Sequence, residues 1–224
     1  PTGIGAATFA KYEKAQARAA LGWKPGDKYV VSCGRLSREK NFEMVINAVA
    51  QMEEKTRLVI LGDGDLRPEL EKQVEMLGLQ GLVELPGNVE QDQVARYFAA
   101  ADLFSFASAN ETQGLVVLEA MAAGTPTVVV NEGGIKDFVR DGENGITSDN
   151  NTQALAQAMD RVLRTPDLER LRSKARETAW GLSVESQTRR ISEVYSRAMQ
   201  KQRSGVDART QGDRKDTPLT EFAF

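Results

Sequence analysis

The stretch Glu111-Thr112-Gln113-Gly114-Leu115-Val116-Val117-Leu118-Glu119 sets one carboxylate before an apolar run and one inside it. Gly114 is placed to open a helix over residues 114–123, stopped by Gly124. The first amides of such a helix, those of Gly114, Leu115 and Val116, have no partner within it. With the helix dipole they form a ready site for a diphosphate. Gly114 lets a phosphate approach with no Cβ in the way. Glu119 lies roughly 7 Å further along the axis, a spacing that suits the hydroxyl pair of a ribose whose phosphates sit at the helix end. Its neighbours Leu115 to Leu118 and Ala120 to Ala123 are apolar all round, so the helix is expected to be buried. A carboxylate in that setting is costly unless it finds a partner. Glu111 read alone is a loop acid in solvent; its combination with Gly114 and Glu119 is what points to a ligand.

A second segment, Gly34-Arg35-Leu36-Ser37-Arg38-Glu39-Lys40-Asn41, offers cations. Arg35 would present a fork and Lys40 a point charge to a diphosphate, and both would stabilise charge growing on a departing one. The same residues read equally well as a solvated basic turn. Gly62-Asp63-Gly64-Asp65-Leu66-Arg67 resembles a dinucleotide fingerprint but has Arg67 at the third glycine position, so it reads as a tight strand-to-helix turn. In Leu85-Pro86-Gly87-Asn88-Val89, a base could lie on the backbone with the amides of Asn88 and Val89 reading its edge; a plain turn fits as well.

These segments sit between alternating short apolar strands and helices. Strands are expected over 28–34, 57–61, 82–85, 103–107, 127–130 and 145–147, and helices over 41–52, 66–77, 91–101, 114–123 and 136–140. Such alternation implies an α/β fold with a parallel sheet covered on both faces. Its ligands bind at the C-terminal ends of the strands, where all the segments above fall. From Thr152 the pattern becomes helical, over 152–163, 168–180 and 184–203, with Ser183 and Gln187 resembling a helix start. The domain is expected to cover 1–200, followed over 201–224 by a polar, mostly disordered tail.

Composition narrows the chemistry. There is no histidine among the 224 residues, which removes Ser-His-Asp and Cys-His catalysis and every zinc site that needs His. A net charge of −3 argues against broad nucleic-acid binding. The single cysteine, Cys33, is expected as a buried strand residue and fits a reducing, cytoplasmic setting. No apolar stretch reaches the length of a membrane span. The chain opens on Pro1 rather than Met and reads as part of something longer.

Gly-Arg-Leu-x-x-Glu-Lys-Asn, then Gly-x-Gly-x-x-Arg, Pro-Gly-x-Val and the paired glutamates resemble, in order and spacing, the C-terminal domain of GT-B glycosyltransferases of family 4, glycosyl transferases group 1. The resemblance covers roughly residues 1–195. Pro1-Thr-Gly-Ile is similar to the family's opening of this domain, except that Gly5 stands where an acid is common. Glu-Thr-Gln-Gly-Leu-Val is most similar to the diacylglycerol glucosyltransferase-like branch.

The resemblance implies one Rossmann-like half of a GT-B fold followed by C-terminal helices, and a retaining hexosyltransferase. Arg35, Lys40 and Glu111 would be its catalytic residues. The donor, a UDP-sugar or secondarily a GDP-sugar, would be held by Gly34, Arg35, Lys40, Asn88, Val89, Glu111, Thr112, Gln113, Gly114, Leu115, Val116 and Glu119. No cofactor and no metal are expected. The acceptor (lipid, glycan or small molecule) would sit on an N-terminal domain outside this chain, and the resemblance also allows the whole enzyme to work at the inner face of a membrane. Two other readings stay open: an enzyme similar to UDP-GlcNAc 2-epimerases, and a non-catalytic module that binds sugar nucleotides.

Overall fold

A computed structural model of the chain describes residues 3–212. Six strands form one parallel sheet: β1 (Lys28–Cys33), β2 (Thr56–Leu61), β3 (Val83–Gly87), β4 (Leu103–Phe106), β5 (Thr127–Val130) and β6 (Ile146–Ser148), in the order β3-β2-β1-β4-β5-β6. β1 sits at the centre because its middle residues, Tyr29 to Ser32, are apolar or small and can be buried on both faces.

The period-2 alternation of the strands divides the core into two layers. Val30, Leu58, Ile60, Leu103, Val128 and Val130 face one side, packed by helices α3 (Phe42–Gln51), α4 (Arg67–Met76) and α7 (Thr152–Arg164). Val31, Val59, Leu61, Phe104, Phe106 and Val129 face the other. There they meet α1 (Ala6–Phe9), α5 (Gln91–Ala100), α6 (Leu115–Ala122) and part of α8 (Glu169–Gly181). The fold class read from the sequence, a parallel sheet with helices on both faces, is the observed one.

Several details differ. α1 and α2 (Lys14–Ala20) precede β1 and were not among the expected elements. α2 packs on α5 mainly through alanines, Ala17 against Ala99 and Ala100, which leave little periodic signal. Asp102 anchors this layer by accepting from Lys14 (2.8 Å), Arg18 (2.5 Å) and the Tyr29 amide (2.8 Å). In place of the short helix expected over 136–140, a 3-10 turn forms at Gly133–Asp137, because Gly133 takes a left-handed conformation and folds the chain back onto the loop after β4. Ser183 does open a helix: its hydroxyl accepts from the Ser186 amide (3.2 Å). That helix, α9 (Val184–Gly212), continues beyond the expected end at Arg203 into the segment read as tail, whose remainder from 213 lies outside the described residues. Along α9, Ile191, Val194, Tyr195 and Met199 are exposed apolar residues.

The loops leaving β1, β2 and β3 are stitched together. The Gly34 amide donates to Leu61, Gly62 to Gly87, Leu36 to Asp63 and Leu66 to Leu36, all at 2.9–3.1 Å. Gly62 is required there. Its φ is +126°, and a Cβ would lie 2.0 Å from the Gly34 carbonyl oxygen. Gly62→Ala is therefore expected to cost about 3 kcal/mol in strain and overlap. Thermal melting should show this as a midpoint lowered by roughly 6–12 °C; an unchanged midpoint would mean that the stitched loops carry no stability.

Candidate functional site

Because all strands are parallel, every strand-exit loop lies on one edge of the sheet. β1 connects outward to β2 on one side and β4 to β5 on the other, so the chain reverses its direction of winding between β1 and β4. That reversal opens a crevice at the strand ends, the usual ligand position in such sheets. Its walls are the loop after β1, carrying Gly34 to Asn41, and the loop after β4, carrying Glu111 to Gly114.

The structure brings Lys40 and Glu111 together across this crevice as an ion pair, Lys40 Nζ to Glu111 Oε1. The ammonium also lies 5.7 Å from the centre of the Phe106 ring at the end of β4. Lys40 is delivered by a 3-10 turn, Arg38–Lys40, which closes on Asn41 in the left-handed region (φ +51°). Within the turn, Ser37 Oγ donates to the Glu39 carboxylate (2.5 Å), and this hydrogen bond holds that carboxyl below its usual range. From the opposite wall the buried Ser108 hydroxyl donates to the Glu39 carbonyl (2.7 Å).

At the mouth of α6, Gly114 takes φ +56° and no side chain caps the helix, so the amides of Leu115 and Val116 face an end without a capping acceptor. A Cβ on Gly114 would lie 3.0 Å from Ile135 Cγ1, so the glycine also permits close packing of the Gly133–Asp137 turn. Glu119 is half-buried on α6, and among the described residues its carboxylate makes no hydrogen bond or ion pair. Burial pushes its carboxyl up to about 7. Cys33 lies close by at the end of β1; burial pushes its thiol up to about 12, and the Glu119 carboxylate adds to this. Cys33 is half-buried rather than fully enclosed, as expected of a strand terminus opening on a crevice.

Arg35 and Asn88 are exposed and share an open cavity of about 630 Å³ with Asp63, Gly64 and Asp65. Val89 is half-buried and packs its side chain against the core. Thr112 and Gln113 line a neighbouring cavity of about 390 Å³ with Leu115, Leu118 and Phe138. The candidate residues thus fall in one crevice and two flanking cavities. Among the described residues, no cluster of three or more acids or cysteines could hold a metal ion.

Two groups at this edge escape sequence reasoning. Asp63, Gly64 and Asp65 belong to the cavity of Arg35, although their motif reads only as a turn. Gly133 and Gly134 support the Glu111 loop from below. The Gly134 amide donates to the Glu111 carbonyl (2.7 Å), and a Cβ on Gly134 would lie 2.2 Å from the Thr112 carbonyl oxygen. Adjacent glycines shortly after β5 were the available signal.

A six-stranded parallel sheet wound in this way, with helices on both faces, is the architecture of one Rossmann-like half of a GT-B glycosyltransferase. Sucrose-phosphate synthase of Thermosynechococcus elongatus is similar over 90% of this chain and 52% of its own, with a TM-score of 0.81 and 29% identity. Anabaena HepE in complex with UDP-glucose is similar over 87% of this chain and 56% of its own, with a TM-score of 0.77 and 27% identity. The chain belongs to the family of glycosyl transferases group 1, which matches residues 13–179. Among curated relatives, alpha-monoglucosyldiacylglycerol synthase of Streptococcus pneumoniae is 32% identical in an alignment, gaps included, that covers 87% of this chain and 46% of the relative. D-inositol 3-phosphate glycosyltransferase of Nocardioides is 33% identical in an alignment, gaps included, that covers 91% of this chain and 49% of the relative. The chain spans about half the length of these curated relatives.

Proposed function

We propose that this chain is the donor-binding half of a retaining hexosyltransferase that uses a nucleoside-diphosphate sugar, UDP-linked in the first instance. The observation that carries the reading is the Glu119 carboxylate, without a hydrogen-bond or ion-pair partner among the described residues, on a helix whose uncapped N-terminus follows the loop that sets Glu111 against Lys40. A ribose at Glu119 would give that carboxylate the donors it lacks. The diphosphate would then reach the amides at Gly114 to Val116, with Arg35 and Lys40 as its cations. Glu111, released from Lys40, would accept from hydroxyls of the sugar. The solved complexes of Anabaena HepE with UDP and with UDP-glucose support a donor of this class.

In this reading the bond from the anomeric carbon to the diphosphate oxygen breaks while the acceptor oxygen bonds to the same face. The acceptor proton passes to the departing phosphate oxygen. Charge therefore grows on the diphosphate, where Arg35, Lys40 and the helix amides stabilise it. No basic side chain is needed at the sugar. The acceptor would be held by the part of the enzyme that this chain does not span, and the exposed apolar face of α9 would lie against it. The isolated chain is then expected to bind donor and transfer little. Among the described residues no helix is long and apolar enough to cross a membrane.

Titration calorimetry of the folded chain with UDP-, GDP- and ADP-sugars tests the reading. Saturable heat with the UDP-sugar is expected; absence of heat with all of them would overturn it.

A further inference from the structure

We propose that Ser108 is a positioning residue, which holds the Lys40 turn in place at the moment Lys40 leaves Glu111 for the donor diphosphate. The inference rests on the donor-site reading above and adds to it a residue that does not itself touch the donor.

Two links join the walls of the crevice. One is the Lys40–Glu111 ion pair. The other is the hydrogen bond from Ser108 Oγ to the carbonyl of Glu39, the residue directly before Lys40. Ser108 is fully buried and sits in the β4 exit loop that carries Glu111, so its bond crosses from one loop to the other. In the structure both links are made. A bound donor would compete for both ends of the first, Lys40 turning to phosphate and Glu111 to the sugar. The Ser108 link would then remain as the side-chain tie between the loops. Apart from the long, exposed Arg38–Glu69 pair (3.4 Å), the Lys40 turn has only local hydrogen bonds of its own, from the Lys40 amide to Ser37 and from the Asn41 amide to Arg38, and Arg38, Glu39 and Arg35 are exposed. Without the hydroxyl, the Glu39 carbonyl loses its partner and the ammonium reaches the phosphate from a loosened turn. The effect should therefore appear on binding of the diphosphate, through Lys40, more than on the empty fold.

The test is a double-mutant cycle on UDP affinity with Ser108→Cys and Ser108→Ala, each in the natural and the Lys40→Ala background. Ser108→Cys keeps nearly the same volume and guards against a variant that does not fold. In the natural background both variants should bind UDP about tenfold more weakly, with melting midpoints close to that of the natural chain. In the Lys40→Ala background the same changes should alter affinity less than about twofold, because the group they position is gone. Equal UDP affinity with and without the hydroxyl would overturn the proposal, as would a loss of the same size in both backgrounds. Hydrogen exchange of the natural chain gives a reading free of variants. The Lys40 and Asn41 amides should stay protected when UDP is bound, and their loosening on binding would also overturn the proposal. If the natural chain binds no UDP at all, the donor-site reading fails and this inference with it; binding that is indifferent to Ser108 defeats this inference alone.

Discussion

Lys40→Ala is expected to lower affinity for UDP about 30-fold, or roughly 2 kcal/mol, as for the loss of one charge-assisted hydrogen bond. The size follows from where Lys40 stands. It is only 23% exposed, its Glu111 partner 15%, and it is the cation that the sheet topology places at the reversal between β1 and β4. The same substitution leaves the Glu111 carboxylate half-buried without its partner, so the empty chain should also lose about 1–2 kcal/mol of stability, less than for a fully buried pair. The two effects separate in the double variant Lys40→Ala with Glu111→Gln. Removing the stranded charge should restore the melting midpoint, while UDP affinity stays low because the phosphate cation is still missing. Calorimetry and thermal melting on the natural chain and the two variants check this. A single variant that binds UDP as the natural chain does would remove Lys40 from the site.

Donor affinity should depend on pH through Glu119, and the sign is opposite for the empty and the loaded chain. In the empty chain burial raises this carboxyl to about 7 from an ordinary value of 4.5, so folding favours the neutral form. Its contribution to stability is complete below about 4.5 and is lost as pH rises through about 7. A ribose hydroxyl pair donates to the ionised form. Binding therefore has to expel the proton when pH lies below about 7, and affinity falls there by up to about tenfold per unit. UDP-glucose is the suitable probe, because both of its phosphates are esterified and their charge stays constant over this range. Its affinity should be up to about 30-fold weaker at pH 5.5 than at pH 8. Glu119→Gln cannot ionise and should give a flat profile, matching the natural chain at low pH and falling below it at high pH. A natural profile as flat as that of the glutamine variant would refute the assignment of Glu119 to the ribose.

The loops that matter were legible as loops because glycines and strand ends mark them locally. Their partners were not. Lys40 and Glu111 are 71 positions apart, and Ser108 lies 69 from Glu39. Hydrophobic periodicity reports which face a residue turns inward, but it does not report which strand lies next to which. Gly133 and Gly134 show as adjacent glycines, but their role, to admit the backbone of Glu111 and Thr112 at close range, depends on a loop about 20 positions away.

The amino-acid sequence by itself determined the alternation of strand and helix, the two buried faces of the sheet and the buried acid on α6. Each of these follows from local spacing and from the cost of leaving apolar groups in water or a charge out of it. Only the tertiary structure decided the strand order, and with it the crevice between β1 and β4. That order depends on how parallel crossovers pack over the two faces, a property of the whole chain that no single segment carries.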